Sequence, residues 1–200
     1  MHPYLRSFSG NGKWDTHKRP QGSQRRAPPW WPERIPGVCS VNVLHEWVPG
    51  EALDSTVEVW GRPDGWVERV DFLPGRIKPW KGRYVLPASK EISEYLQGKR
   101  TSFSHRDKQA DRIRRVGGSF HQAVLLRAME IPYGKTISYS GLAESMSSRA
   151  WRAVGHAMSR NPIPILVPCH RVVGKHGLGG FGEHIWLKRK LLELESAKLT

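Results

Sequence analysis

The chain has 200 residues, of which 38% are hydrophobic and 9 are Trp, enough for one large domain or two small ones around an ordinary core. Its 32 Lys and Arg against 18 Asp and Glu give a formal net charge of +14. Such a balance points to a polyanion, nucleic acid first, because Lys and Arg contacts to phosphate release counterions. Two cysteines, Cys39 and Cys169, are too few for a disulfide framework or a four-cysteine zinc site. With no secretory signal and no apolar run near the roughly 20 residues that cross a bilayer, an intracellular protein without a membrane partner is expected.

Residues 1–36 are rich in Ser, Gly, Pro and Gln, carry seven Lys or Arg against two acids, and read as a tail, either a basic arm or simply solvated. From Cys39 to about Phe72 the pattern predicts strands: Val41, Val43 and Val48, then Val57-Glu58-Val59-Trp60 and Trp66 to Phe72, largely alternate apolar and polar residues. Gly61 to Gly65, with Pro63 and Asp64, is the expected turn. A short helix follows over about Ser89–Gln97, with Ile92, Tyr95 and Leu96 on one face, ended by Gly98.

The basic run Lys99–Arg115 reads as a linker between an α+β unit (37–110) and a mostly helical one (116–197). In the second, Phe120, Ala123, Val124, Ala128 and Ile131 recur at helical spacing until Pro132-Tyr133-Gly134. A short helix over about Ser140–Met146 is next. Ser147 and Ser148 then look like a cap for a third helix running to about Arg160.

On that third helix Ala150, Ala153, Val154, Ala157 and Met158 build an apolar face, opposed by Arg152, His156, Ser159 and Arg160. No acid lies between Glu144 and Glu183, an interval holding Arg149, Arg152, Arg160, Arg171 and Lys175. Two short helices joined by a tight turn, the second basic and small-residued, point to a helix-turn-helix, with Ala153 and Gly155 letting its backbone approach a groove.

Asn161-Pro162-Ile163-Pro164 stops the helix, and Ile165 to Pro168 reads as an extended run into Cys169-His170-Arg171. A lone Cys after an apolar stretch is commonly an inert, buried side chain. Cys169, however, has a base and a cation beside it, as a nucleophilic thiol of ordinary pKa ~8.5 requires. In an extended segment His170 would point away from Cys169, so contact needs a bend or a bridging water. On the last helix Leu187, Leu191 and Leu194 form a stripe with Glu195 beside it, leaving that carboxylate either inward or exposed at the helix end.

Arg152-Ala153-Val154-Gly155, Asn161-Pro162, Pro168-Cys169-His170-Arg171-Val172-Val173, Ile131-Pro132-Tyr133-Gly134 with Ile137-Ser138-Tyr139, and Lys188 to Glu195 together resemble the O6-alkylguanine-DNA alkyltransferase family. The resemblance covers about Phe120 to Glu195. It implies an α+β fold, with a small N-terminal sheet-plus-helix domain and a C-terminal, mostly helical domain carrying a winged-helix-like helix-turn-helix. It implies a single-turnover enzyme, monomeric and without metal or cofactor, that flips O6-alkylguanine (less well O4-alkylthymine) out of double-stranded DNA and moves the alkyl group to Cys169. Its compartment would be the cytoplasm and nucleoid of a prokaryote or the nucleus of a eukaryote.

By motif, His170 would take the Cys169 proton through a water while Glu195 holds the imidazole, and Tyr139 would help the guanine leave. Arg152 would fill the space of the flipped nucleotide, with Ala153, Gly155, Ser159, Arg160 and Arg171 also at the DNA. Asn161 would tie the helix-turn-helix to the active-site segment. Val172, Phe181, Gly182 and Pro164 would wall the base pocket, Phe181 standing where a tyrosine is common. Glu183-His184-Ile185-Trp186 departs from the usual small residue and glycine pair, which leaves the pocket's width open. Two rival readings are a noncatalytic lesion-binding protein, although such relatives lack the acceptor cysteine, and a cysteine hydrolase using Cys169 and His170.

Overall fold

The computed structural model describes residues 43–75, 83–181 and 184–196. The expected tail and Cys39 lie outside these residues, as do Gly182 and Glu183.

The alternating segments form a three-stranded antiparallel sheet, β1 (Leu44–Gly50), β2 (Ser55–Gly61) and β3 (Val67–Pro74), in sequential order. Val48 pairs with Val57 and Val59 with Val70, and all four are buried on one face. Val67 and Val70 have opposite parity yet both point inward, because the register shifts at Trp60/Gly61 and inserts one residue into β3. Gly65, at φ +94, makes the expected turn, a conformation that favours glycine.

Helix α1 (Pro87–Leu96) packs on β1 and β2, with Pro87 at the first helical position, where its missing N–H costs nothing. Ala88, Ile92, Tyr95 and Leu96 recur at helical spacing and are buried, and Gly98, at φ +68, closes the helix. The run read as a linker contains a second helix, α2 (Arg106–Ile113), lying on β3. It is not visible as a period because only Gln109 and Ile113 are buried. Polar bonds supply the rest: Arg112 donates to the Glu68 carbonyl at 2.9 Å and pairs with the Glu68 carboxylate at 3.0 Å.

Helix α3 (Ser119–Ala128) buries Val124, Leu125 and Ala128, and packs on α2, α4 (Tyr139–Glu144) and α5 (Trp151–Met158). The serine pair serves both helices, closing α4 through the Ser148 amide and leading into α5 through the Ser148 hydroxyl. Ser147, at φ +56, turns the chain so that the Ser148 amide donates back to the Ala143 carbonyl of α4 at 3.0 Å, while the Ser148 hydroxyl accepts the amide of Ala150, the residue before α5, at 3.1 Å. Of the predicted apolar face of α5, Val154, Ala157 and Met158 are buried. Ala150 and Ala153 are exposed instead, on the side of Arg152, His156, Ser159 and Arg160.

Strands β4 (Ile137–Ser138) and β5 (Val172–Val173) pair in parallel, and α6 (Ile185–Ser196) closes the described chain. The architecture is α+β. Among the described residues no helix is long and apolar enough to cross a membrane. Because Ile113 is fully buried between α2, β3 and α3, Ile113→Ala is expected to lower the unfolding free energy by about 3 kcal/mol, read by urea denaturation. A loss under about 1 kcal/mol would mean that α2 is not docked there.

Candidate active site

The segment after α5 is folded tightly rather than extended. Asn161 donates from Nδ2 to the Val167 carbonyl at 2.8 Å and accepts the Ile163 amide at 3.1 Å, closing a loop across two prolines. Within it Val167 N donates to Ile163 O at 2.9 Å, and Ile165 sits at φ +73, where a β-branched residue is strained. Cys169–Arg171 then forms a 3-10 turn. The chain therefore bends at Cys169 and is not extended there, and the expected extended run is absent because a loop closed by side-chain bonds leaves no periodic signal.

Cys169 is a free thiol, almost fully buried. Burial pushes its pKa above the ordinary thiol value, opposed by the Asn161 side chain, the Lys188 charge and nearby backbone amides. The thiol is therefore protonated at neutral pH and needs a base to react.

His170 supplies one. It is wholly buried, and burial lowers its pKa below 6.5; Glu195 pulls it up, and Arg171 and Lys188 oppose Glu195. The imidazole is therefore neutral at pH 7. Nε2 lies 2.9 Å from Glu195 Oε1, and since an ionised carboxylate can only accept, Nε2 carries the hydrogen. Nδ1 is buried without a protein hydrogen-bond partner, which leaves its lone pair for a proton.

Glu195 is buried on α6 beside Leu187 and Leu191, so it is the inward alternative that the structure adopts. Burial alone raises its carboxyl, but hydrogen bonds and charge from His170 and Arg171 outweigh that and hold it at about 2. Arg171 donates to both carboxylate oxygens and to the Ile131 carbonyl at 2.6 Å. Arg171, expected at the DNA, is buried here, with its guanidinium committed to the protein interior.

Tyr139 begins α4 directly after β4, and the β4–β5 pairing brings it beside the Cys169 turn. Its hydroxyl donates to the Gly180 carbonyl at 3.0 Å, and burial and the nearby Cys169 raise its pKa. Gly155 faces the same ring, since a Cβ there would lie 3.9 Å from Tyr139. Gly179, at φ +73, is tighter, because a Cβ would come within 2.7 Å of that ring.

Lys188, to which the sequence pattern alone gives no role, is buried on α6. Its Nζ donates to Val172 O at 2.6 Å, lies 3.5 Å from the Tyr139 hydroxyl, and faces the Tyr139 and Phe181 rings at 5.4 and 5.6 Å. Burial lowers its pKa to about 8. The signal available is its place next to Leu187 on an apolar stripe, an unusual position for a lysine.

Val172 is buried, and Pro164 and Phe181 are half-buried. Gly182 lies outside the described residues. A cleft of about 450 Å³ is lined by Phe103, Arg106, Tyr133, Pro168 and Arg171 among others, but not by Tyr139, Val172 or Phe181. Arg152, Ala153, Ser159 and Arg160 are exposed on α5, where the Arg152 guanidinium lies 4.8 Å from the ring of exposed Trp151. Among the described residues no cluster of His, Cys, Asp and Glu is arranged to hold a metal ion.

The fold and site define a two-part α+β protein in which a helix-turn-helix adjoins a buried cysteine, histidine and glutamate. Residues 119–197 match the family described as 6-O-methylguanine DNA methyltransferase, DNA binding domain. A methylated-DNA-protein-cysteine methyltransferase of Metallosphaera sedula is 43% identical over 108 residues, 54% of this chain and 65% of the relative, so the match spans just under two thirds of that protein. The crystal structure of Mycobacterium tuberculosis O6-methylguanine methyltransferase superposes with a TM-score of 0.61 at 30% identity, covering 78% of this chain and 93% of that one. A structure of the Mycobacterium tuberculosis protein OGT in complex with DNA gives 0.58 at 30% identity, covering 77% and 93%. The chain belongs to the O6-methylguanine methyltransferase family.

The folded-state pKa values of His170 and Glu195 both lie below their unfolded values, so each contributes stability that is present at higher pH and lost on acidification. Urea-unfolding free energies are expected to fall first as pH drops below 6.5, through His170, and again from 4.5 toward about 2, through Glu195. Glu195→Gln should abolish the lower phase. A wild-type profile that is flat between pH 4.5 and about 2 would contradict the buried, ionised carboxylate.

Proposed function

We propose that this protein repairs DNA by moving a methyl or small alkyl group from O6 of guanine to its own Cys169, once per molecule. The observation that carries this reading is the buried pair in which His170 donates from Nε2 to Glu195 and keeps Nδ1 open, one residue after a protonated, buried thiol.

In this reading the Cys169 proton passes to His170 Nδ1 through a water, and Glu195 stabilises the imidazolium that forms. Sγ attacks the alkyl carbon, an S–C bond forms, the C–O6 bond breaks, and the electron pair leaves on the guanine. Tyr139 gives up its bond to the Gly180 carbonyl and donates to the departing base, with the Lys188 charge beside it favouring that donation. The thioether product has no route back to a thiol, so the protein is consumed.

The substrate is a nucleotide flipped from double-stranded DNA, read by a monomer inside the cell. Exposed Arg152, on the outer side of α5 with Ala153, Ser159 and Arg160, fills the space the base leaves. Asn161 carries the position of α5 to the Cys169 turn through Val167.

Intact-protein mass spectrometry after incubation with an O6-methylguanine duplex should give one added methyl group, mapped to Cys169. Tight binding with an unmodified Cys169 sinks the transfer reading in favour of a lesion binder, and repeated turnover on an ester or amide would favour a hydrolase. Arg152→Ala is expected to slow transfer from the duplex by on the order of tenfold, while reaction with the free O6-alkylguanine base stays near wild type, since only the duplex has unstacking to offset. Equal slowing of both substrates would remove Arg152 from the flipping step.

A further inference from the structure

The Glu195 carboxylate is reached from an element that the transfer steps above do not use. Tyr95, on the inner face of α1, is fully buried, and its hydroxyl lies 2.7 Å from Glu195 Oε1 and 3.4 Å from His170 Nε2. Its ring is held by Phe103 at 5.5 Å and by Tyr133, edge-on, at 6.0 Å. A buried phenol this close to a carboxylate makes a short, charge-assisted bond, and the carboxylate fixes the direction of donation.

Oε1 is thus shared among the Tyr95 hydroxyl, His170 Nε2–H and Arg171. Each donor withdraws charge from that oxygen and weakens its hold on the others. With the Tyr95 proton directed at Oε1, the phenol oxygen turns its lone pairs toward the imidazole edge, which suits an Nε2–H and leaves Nδ1 as the free base.

We propose that Tyr95 is a positioning residue for alkyl transfer: its hydroxyl donates to Glu195 Oε1, fixes the Nε2–H tautomer of His170, and limits how strongly Glu195 favours the imidazolium. The sheet half of the protein thereby contributes to the active site through α1. The kinetic consequence rests on the transfer reading above; the consequence for His170 titration does not.

The charged and titratable groups packed around this pair are Glu195 and Lys188 from α6, Arg171 and Cys169 from the same turn as His170, Tyr133 from the loop after α3, and Tyr95 from α1. Removing the Tyr95 hydroxyl leaves Glu195 with one donor fewer, so it favours protonated His170 more strongly. The phenol oxygen that faces Nε2–H at 3.4 Å is lost as well, which acts the other way, but the 2.7 Å bond to Oε1 is the stronger of the two and the pKa of His170 rises.

The test compares wild type, Tyr95→Phe and a protein carrying 3-fluorotyrosine at position 95. His170 is titrated by NMR in the unreacted proteins, and the rate of methyl transfer from an O6-methylguanine duplex is measured against pH. In Tyr95→Phe the His170 titration and the acid limb of the rate profile should move up together by about one unit, so that the rate falls about tenfold below the limb and recovers above it. Fluorotyrosine, a stronger donor, should move both the other way. A loss of rate by the same factor at every pH, with His170 titrating as in wild type, overturns the proposal and leaves Tyr95 a packing residue. If Tyr95→Phe does not fold, the fluorotyrosine titration decides the matter alone. A wild-type protein that transfers no methyl group defeats the transfer reading, while the NMR titration still decides the role of Tyr95.

Discussion

The structure around Cys169 depends on one buried carboxylate. An ionised Glu195 in the interior would be unstable without compensation, and it accepts hydrogen bonds from Tyr95 on α1, Gly134 in the loop after α3, and His170 and Arg171 in the 3-10 turn. Those donors come from both halves of the protein, so a single charge draws together the sheet side, the helical side and α6. Arg171 has a further consequence. Because its guanidinium already neutralises Glu195, His170 need not be protonated to satisfy the carboxylate. Its charge adds to burial in keeping the imidazole neutral. Without Arg171 a buried Glu195 would favour a resting imidazolium, and a base already holding its proton could not take one from the thiol.

This arrangement also reconciles burial with reactivity. A thiol with a depressed pKa would be an exposed nucleophile, open to oxidants and disulfide exchange. Cys169 instead has a pKa raised by burial, with Asn161 and Lys188 placed to favour the thiolate once a proton acceptor acts. Under the proposed transfer, which consumes the protein, a thiol that stays protonated until its substrate arrives avoids wasted molecules. Lys188 serves both ends of the proposed transfer, since its charge lies near Sγ and its Nζ lies 3.5 Å from the Tyr139 hydroxyl.

Much of the fold is legible in the sequence because its main elements bury regular patterns. The strands alternate and α1 repeats at helical spacing, whereas of the face predicted for α3 Val124 and Ala128 are buried but Phe120 and Ala123 are exposed. Helix α2 is not legible: two buried residues, Gln109 and Ile113, make no stripe, and its docking rests on Arg112 finding Glu68 in a distant strand. Arg171 is misplaced by sequence for a related reason. A basic residue in an acid-free stretch reads as solvent-facing, and only the partner on α6 reverses that. Ser147 and Ser148 have cap chemistry, but composition does not say that the positive φ of Ser147 sends the Ser148 amide back to α4 while its hydroxyl accepts from the residue before α5. Tyr95 belongs to the expected face of α1, yet the destination of its hydroxyl, 100 residues along the chain, is not encoded in any local period.

The helix-turn-helix and the reactive turn are coupled by few bonds, and their placement says how one can report to the other. Asn161 sits at the end of α5 and binds the Val167 carbonyl, and Val167 in turn accepts the Cys169 amide at 2.8 Å. On the other side of Asn161, the Pro162 carbonyl accepts the Val70 amide of β3 at 2.9 Å, which anchors the loop to the sheet. The loop is therefore pinned at its root while Ile165 holds a strained conformation within it. Asn161 therefore links the end of α5 to the Cys169 turn through Val167, while Glu195 and the Ile131 carbonyl hold His170 and Arg171 of the same turn from α6 and the loop after α3.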